Sequence, residues 1–97
     1  MIYTITLNPA LDKQLTVSDI RFNDVLIAES VQLDYGGKGF NVSRMLTRLN
    51  QPSRAVGLLG GQTGKTIEEG LIAQGVDVVA IPVVGETRTN VSVVTTG

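Results

Sequence analysis

Residues 35–46 read YGGKGFNVSRML, a stretch that packs three glycines around one lysine immediately ahead of a helical pattern. Each glycine that is fixed costs backbone entropy, so this density indicates tight turns or a ligand held against the backbone. A helix starting here would present unpaired N–H groups and the positive end of its dipole to the cluster. The stretch therefore predicts either a ligand-binding loop or a structural turn, and both interpretations stay open at this point.

The first predicted helix spans residues 41–50, NVSRMLTRLN. Apolar side chains recur there at i, i+3, i+4 and i+7, which indicates one buried stripe. The stripe comprises Val42, Met45, Leu46 and Leu49, and the outward-facing side chains are Arg44 and Arg48.

The second predicted helix spans residues 63–75. Thr66 and Glu69 have the spacing of a capping box, in which two side chains satisfy the first N–H groups of a helix, and Thr63 is an alternative cap. Gly75 fits the left-handed position that commonly follows a helix. The apolar face comprises Ile67, Leu71 and, at its margin, Ile72.

The predicted strands fall into two classes. Nearly continuous apolar runs, typical of strands covered on both faces of a parallel sheet, occur at 2–7, 55–59 and 76–84. Alternating runs, typical of a sheet with one covered and one wet face, occur at 13–17, 25–35 and 89–97. The order of strands and helices after the glycine cluster predicts right-handed βαβ units in a doubly wound α/β sheet. The alternating strands would form a second, smaller sheet.

Composition excludes several classes of function. The chain has 97 residues, which is enough for one small domain, with 42% apolar residues and a net charge of −1. This balance disfavours a general binder of nucleic acid or anionic membrane. Cysteine and histidine are both missing, so disulfides, thiolate chemistry and histidine-based triads are excluded within these residues. With neither a basic leader nor a membrane-length apolar run, the expected location is cytoplasmic.

A second glycine cluster, GGQTGKT at residues 60–66, partly matches a nucleotide-binding P-loop. That motif needs a glycine five positions before the glycine of its final GK[ST]. Leu59 occupies that position, and Gly60 lies one position too close. The spacing therefore favours an ordinary turn from a strand into a helix.

Three polar residues near the predicted turns are candidates for binding. Asp12 follows the first strand after a proline turn, which would place its carboxylate in the crevice where open α/β sheets bind ligands. Asn41 carries an amide that both donates and accepts hydrogen bonds. Arg88 lies between a buried and an amphipathic strand, where a guanidinium can hold a phosphate. Taken alone, each could also be an ordinary solvated side chain, and for Asp12 and Arg88 this is the more common case.

Together these fragments resemble the ribokinase-like, phosphofructokinase B family of sugar kinases, and within it the hexose-phosphate branch of 1-phosphofructokinase and tagatose-6-phosphate kinase. The segments that carry the resemblance run in order along nearly the whole chain: TLNPALD (6–12), GGKGFNVSR (36–44), GLLGGQTGKTIEEGL (57–71) and GETRTNV (85–91). Asn50 departs from the family signature, which usually has glycine or serine there. Asparagine also tolerates the left-handed conformation that a helix end needs.

The resemblance implies roles for individual residues. Asp12 would bind sugar hydroxyls, and Lys38 and Arg88 would contact the phosphate that the sugar already carries. The implied substrate-binding set is Asp12, Gly36, Gly37, Lys38, Gly39, Asn41 and Arg88. The second family signature, which supplies the catalytic aspartate and a glycine-rich anion hole, is not found in these residues. No catalytic or metal-binding residue is therefore expected within this chain.

The implied whole protein is a kinase that uses ATP and Mg²⁺ to phosphorylate a ketohexose phosphate, most directly fructose 1-phosphate to fructose 1,6-bisphosphate. This chain would be its N-terminal, sugar-binding portion, inactive and without bound ATP on its own. Core segments 1–12 and 36–88 would carry lid strands at about 13–35 and 89–97, and the lid would pair with a second subunit in a homodimer. The alternative is a stand-alone, non-catalytic sugar-phosphate-binding or dimerisation module. The coding sequence after Gly97 discriminates between the two.

Overall fold

Residues 1–20, 25 and 27–96 are described by the structure, a computed structural model. Its elements in chain order are β1 (Ile2–Thr6), β2 (Ala10–Val17), β3 (Ser30–Gly36), α1 (Lys38–Arg48), β4 (Ser53–Leu59), α2 (Gly61–Ala73), β5 (Val78–Pro82) and β6 (Arg88–Thr95). The strands form two three-stranded sheets, ordered β1-β4-β5 and β3-β2-β6. The first sheet is parallel, while β2 pairs antiparallel with β3 and parallel with β6. The predicted strand and lid segments also include residues 21–24, 26 and 97, which lie outside the described residues.

The first sheet is covered by helices on one face only. Phe40 of α1 and Ile67 and Leu71 of α2 are fully buried, and they join Ala55 and Leu59 of β4 in a single hydrophobic cluster. Both helices therefore lie on the same side of the sheet, as expected when two right-handed crossovers run in the same direction.

The other face of the first sheet is exposed along its outer strands β1 and β5, so the prediction of strands covered on both faces was wrong there, whereas no apolar residue of β4 is exposed. Tyr3 and Ile5 of β1 are 58% and 64% exposed, and Val79 and Ile81 of β5 are 40% and 44% exposed. The continuous apolar pattern is nevertheless that of strands with two covered faces.

Helix α1 presents a different face to the sheet than its apolar stripe predicted. It begins at Lys38, three residues earlier than expected, and buries Phe40 and Ser43. The Ser43 hydroxyl lies 2.7 Å from the Thr4 hydroxyl of β1. Such a hydrogen-bonded contact satisfies polar groups that would be costly to bury alone. Three members of the predicted stripe are exposed instead: Val42, Met45 and Leu49.

Helix α2 was predicted with the correct buried residues but the wrong cap. Ile67 and Leu71 are buried as expected, whereas Ile72 is 55% exposed. The helix begins at Gly61, so Thr66 lies inside it and donates to the Gln62 carbonyl rather than forming a capping box. Gly75 has φ 85°, which confirms it as the left-handed residue after the helix.

Asn50 follows α1 in the same way that Gly75 follows α2. Its φ is 57°, the left-handed value expected at this departure from the family signature. Among the described residues no helix combines the length and hydrophobicity needed to cross a bilayer.

The second sheet confirms that the alternating segments pair with one another, although β3 begins at Ser30 and not at residue 25 as predicted. Along β2 the side chains alternate between a polar face and an apolar face, and the neighbouring strands match this register. On the apolar face four side chains are substantially exposed: Val31, Leu33, Val91 and Val93. Strand β2 starts at Ala10, three residues before the predicted strand. Asp12 had been predicted to lie in the turn after β1, but it lies within β2 of this sheet.

The second sheet is fixed to the core through its first residues. Leu11 of β2 belongs to the hydrophobic cluster, and the Tyr35 ring of β3 packs against it. A Cβ at Gly70 of α2 would collide with that ring. Glycine weakens the helix at this position, but it leaves the space that the Tyr35 ring occupies. This contact holds the polar face of the second sheet beside the carboxyl end of β1.

Candidate functional site

A cleft of about 520 Å³ lies between the carboxyl end of β1, the start of α1 and the polar face of the second sheet. Its lining includes every residue of the predicted binding set: Asp12, Gly36, Gly37, Lys38, Gly39, Asn41 and Arg88. Residues from four separate elements and one turn are thus brought to one place. This position beyond the end of a parallel strand is where α/β sheets usually bind ligands.

The carboxylate of Asp12 is held on one side and open on the other. Its Oδ1 accepts a hydrogen bond of 2.9 Å from Nδ2 of Asn90, which lies opposite it on β6. Its Oδ2 lies beside Gly36, where a Cβ would come within 2.7 Å of it. A hydroxyl group approaching over Gly36 would therefore meet an acceptor oxygen that the protein has left accessible.

Asn41 is oriented by a neighbour that had been predicted to face solvent. Its Oδ1 accepts a hydrogen bond from Nη2 of Arg44, one turn further along α1. The Arg44 side chain is only 13% exposed, and its Nη1 lies 3.4 Å from Oδ1 of Asp34. Because the amide oxygen is engaged, the Asn41 amide nitrogen remains to donate toward the cleft. Arg48 is exposed as predicted.

Close contact with β1 leaves no room for a side chain at two glycine positions at the start of α1. Gly37 has φ 150°, and a Cβ there would lie 2.5 Å from Cγ2 of Thr6. A Cβ at Gly39 would lie 2.9 Å from the Ile5 carbonyl oxygen. Both glycines let the helix begin directly against β1. The glycine cluster therefore does form a structural turn. The same turn directs the N–H groups of the first helical turn into the cleft.

Two cations border the cleft at its helix end. Lys38 is the first residue of α1 and is exposed. Arg88 is the first residue of β6, and its Nη2 donates a 3.4 Å hydrogen bond to the Asn8 carbonyl. Together with the helix N-terminus they make this end suited to an anionic group, whereas the Asp12 end is suited to hydroxyls.

Sequence reasoning missed three polar residues of the cleft: Thr6, Asn8 and Asn90. Asn90 belongs to an alternating strand, and only the parallel pairing of β6 with β2 places it beside Asp12. Thr6 lies beneath the glycines of α1. Its hydroxyl is buried and has no hydrogen-bond partner among the described residues. Its polar position within the apolar run TITL was the one clue in the sequence.

The second glycine cluster does not form a phosphate-binding loop. Gly64, Lys65 and Thr66 lie inside α2, which starts at Gly61 directly after β4. The carboxylate of Glu86 accepts a 2.6 Å hydrogen bond from the backbone N–H of Thr63 and thus occupies the anion-binding end of this helix. The same hydrogen bond lowers the pKa of Glu86 below its ordinary value.

Residues 4–97 match the model of the pfkB family of carbohydrate kinases. The chain belongs to this family. The predicted resemblance, carried by the glycine cluster and the segments around it, is therefore confirmed.

Similar proteins refine the relationship. The chain is 37% identical over its full length to the 1-phosphofructokinase of Borreliella burgdorferi and 42% identical over 98% of its length to that of Bacillus subtilis. It covers 32% and 31% of those two proteins, so it spans about a third of the curated relatives that it matches. A solved Staphylococcus aureus structure assigned as a phosphofructokinase is 37% identical. It superposes with a TM-score of 0.92 over the whole chain and 32% of its own length.

These matches confirm the predicted fold class. The two sheets and two helices correspond to the N-terminal third of a ribokinase-like α/β fold. The relatives named 1-phosphofructokinase are phosphotransferases of the kind that the resemblance implied.

Proposed function

We propose that residues 1–97 form the sugar-phosphate-binding portion of an ATP-dependent kinase whose substrate is a ketohexose phosphate. Fructose 1-phosphate, converted to fructose 1,6-bisphosphate, is the substrate that fits the names of the relatives. The observation that carries the proposal is the division of one cleft into two ends. Asp12 and Asn41 form a hydroxyl-binding end, and Lys38 and Arg88 form an anion-binding end.

The geometry supports a specific way of holding the sugar. Oδ2 of Asp12 accepts hydrogen bonds from sugar hydroxyls while the Asn41 amide donates to a sugar oxygen. The phosphate lies at the start of α1, where Lys38, Arg88 and the helical N–H groups carry positive charge. Fixing both ends of the sugar orients the hydroxyl that is to be phosphorylated. Such orientation is a large part of what an enzyme contributes to phosphoryl transfer.

The family implies ATP and a divalent metal for the whole enzyme, and MgATP supplies the phosphoryl group when it is bound. The described residues do not fit these ligands. The glycine cluster that resembled a P-loop is part of a helix whose N-terminus Glu86 occupies. Within the same residues no three carboxylate, histidine or cysteine side chains converge on one point. The role that we propose for this part of the chain is to bind and orient the sugar.

The apolar face of the second sheet supports a further element of the proposal, a homodimer. Val31 and Val91 are 55% and 58% exposed, and they lie on the face opposite the cleft. Association of two such faces would bury them and leave the polar faces open to sugar. A stand-alone module is disfavoured by the bare face of the first sheet, because Ile5 and Tyr3 would then have no cover.

The proposal is tested on the natural, full-length protein by ADP release with MgATP and fructose 1-phosphate, fructose 6-phosphate or tagatose 6-phosphate. We expect the largest kcat/KM with fructose 1-phosphate. Arg88→Ala should reduce kcat/KM for the phosphorylated sugar. Absence of sugar-dependent ADP release with all three sugar phosphates would refute the proposed function.

A further inference from the structure

Two aspartates occupy directly paired positions on neighbouring strands of the second sheet. Asp12 of β2 pairs with Asp34 of the antiparallel strand β3, so the residues are direct cross-strand neighbours. Like charges directly opposite one another destabilise a sheet. The arrangement therefore needs partners that separate the two carboxylates.

The structure gives each carboxylate its own partners. Oδ1 of Asp34 accepts a 2.9 Å hydrogen bond from the Tyr35 N–H and pairs with Arg44 at 3.4 Å. Oδ1 of Asp12 accepts its bond from Asn90, on the opposite side of β2. The two carboxylates are thus turned in opposite directions, Asp34 toward α1 and Asp12 toward β6.

The partner chosen for Asp12 has a chemical consequence. Asn90 donates through a neutral amide, so it orients the carboxylate without neutralising its charge. An arginine or lysine at this place would form an ion pair and compete with any other cation or donor for the carboxylate. With Oδ1 engaged by the amide, Oδ2 is the oxygen left beside Gly36 in the cleft.

We propose that Asn90 is a positioning residue that holds the Asp12 carboxylate in the orientation needed to accept sugar hydroxyls. This inference rests on the proposed function, because it assumes that Asp12 binds the sugar. It adds a residue outside the glycine cluster and explains why β6, which also contributes Arg88, forms a wall of the cleft.

A double-mutant cycle in the natural, full-length protein tests this role. Asn90→Ala should lower kcat/KM for fructose 1-phosphate by about 10- to 100-fold, the effect of losing a hydrogen bond to a charged group. In an Asp12→Ala background the same substitution should cost less than about twofold, because the group it positions is gone. Ser92→Ala, two residues along β6 on the same face, is the matched control and should change kcat/KM by less than about twofold.

Different results would contradict the positioning role of Asn90 and the sugar-binding role of Asp12. A large loss for Asn90→Ala in both backgrounds would overturn the positioning role and leave Asp12 as the sugar-binding group. Wild-type kcat/KM for folded Asp12→Ala would overturn the assignment of Asp12 and the inference together. Thermal unfolding of each variant shows whether it is folded, so that a loss of activity is attributed correctly.

A pH profile gives a readout that a purely structural role would not change. Asn90→Asp places a second carboxylate beside Asp12, with Asp34, Lys38 and Arg88 as the other charged groups around it. At neutral pH the ionised pair cannot form the hydrogen bond, so kcat/KM should fall at least as far as in Asn90→Ala. At lower pH the pair shares a proton and the bond returns, so activity relative to wild type should rise. Ser92→Asp adds the same charge without the contact; an equal rise there would overturn the inference.

Discussion

The carboxylate of Glu86 caps helix α2 from the connection that leads into β6, through a 2.6 Å hydrogen bond from the Thr63 N–H. The neighbouring Thr87 hydroxyl accepts a 2.8 Å hydrogen bond from the Gly60 N–H in the same place. The connection between β5 and β6 is therefore attached to the start of helix α2. A sequence-local capping box was expected here, and a residue more than twenty positions away fulfils the function instead.

The Glu86 cap predicts a pH-dependent contribution to stability. Its folded-state pKa is lowered by the hydrogen bond from Thr63, so the stabilisation is complete above the ordinary carboxyl pKa. It is lost as the pH falls through this lowered value. Glu86→Gln should lower the unfolding temperature of the full-length protein at pH 7, and the difference from wild type should shrink as the carboxylate is protonated in acid. Glu69→Gln, on the exposed face of α2, is the control; a difference that persisted unchanged in acid would contradict the cap.

Asp12 provides the second prediction. If Oδ2 binds sugar hydroxyls, Asp12→Ala should leave the full-length protein folded but lower kcat/KM by roughly 10² or more. Removing the carboxylate also relieves its repulsion with Asp34 across the sheet, so stability should stay the same or rise slightly. Kinetics and thermal unfolding of the same preparation check both parts. Near-wild-type kinetics in a folded variant would show that Asp12 does not bind the sugar.

Gly36 provides a test of the space beside that carboxylate. A Cβ at this position would lie 2.7 Å from Oδ2 of Asp12, and the backbone there does not have a positive φ. Gly36→Ala should therefore weaken sugar-phosphate binding with little change in stability, whereas Gly37→Val should also strain the backbone. Lys65→Ala should leave ATP binding unchanged, since Lys65 lies inside α2. Titration of each variant with each ligand checks this; loss of ATP affinity in Lys65→Ala alone would revive the P-loop interpretation.

The grouping of the seven predicted residues was more predictable than the packing around them. Glycine clusters and isolated polar residues at the ends of apolar runs are local features, and all seven predicted residues line one cleft. The left-handed residues Asn50 and Gly75 were predictable for the same reason, because helix ends depend on local conformation. The contacts of Asn90 and Glu86 depend on pairing between distant segments, which no local pattern specifies.

The errors concern which face of each element is covered. The stripe of α1 was expected to be buried, yet Met45 is 59% exposed while Ser43 is fully buried. Hydrophobic periodicity indicates an apolar face, but it does not show which element, if any, packs against it. Here the polar face of α1 meets the hydroxyls of β1. Arg44 was expected to face solvent for the same reason, before its contacts with Asn41 and Asp34 could be known.

The apolar face of the second sheet predicts association between two copies of the protein. Leu33 is 41% exposed and lies opposite Lys13 on β2. Leu33→Glu should disrupt the apolar face while gaining a cross-strand ion pair with Lys13, so the subunit itself stays folded. Gln32→Glu places the same charge on the opposite face and is the control. Analytical ultracentrifugation should show smaller species for Leu33→Glu only; a wild-type protein that is monomeric at all concentrations would rule the interface out.

The last prediction concerns residues 1–97 as an isolated chain. One face of the first sheet exposes Ile5 and Ile81, so the chain should self-associate and unfold at low denaturant concentration. Replacing both isoleucines with threonine should reduce self-association of the isolated chain, and it should destabilise the full-length protein if further residues cover this face there. Opposite effects of one pair of substitutions would distinguish a face that is covered in the natural protein from one that is always exposed.

The isolated chain should also be unable to transfer phosphate. The reaction needs a positioned hydroxyl, a clamp for metal and phosphate, and a group that accepts the hydroxyl proton. The cleft supplies the first, and Asp12 is engaged with Asn90 in a way that suits holding the sugar. A coupled ADP-release assay of residues 1–97 with fructose 1-phosphate and MgATP should show no sugar-dependent turnover. Saturation transfer or chemical-shift titration should still detect weak sugar binding that Asp12→Ala abolishes. Turnover approaching that of ordinary kinases, of order 1–100 s⁻¹, would place the catalytic groups within these residues.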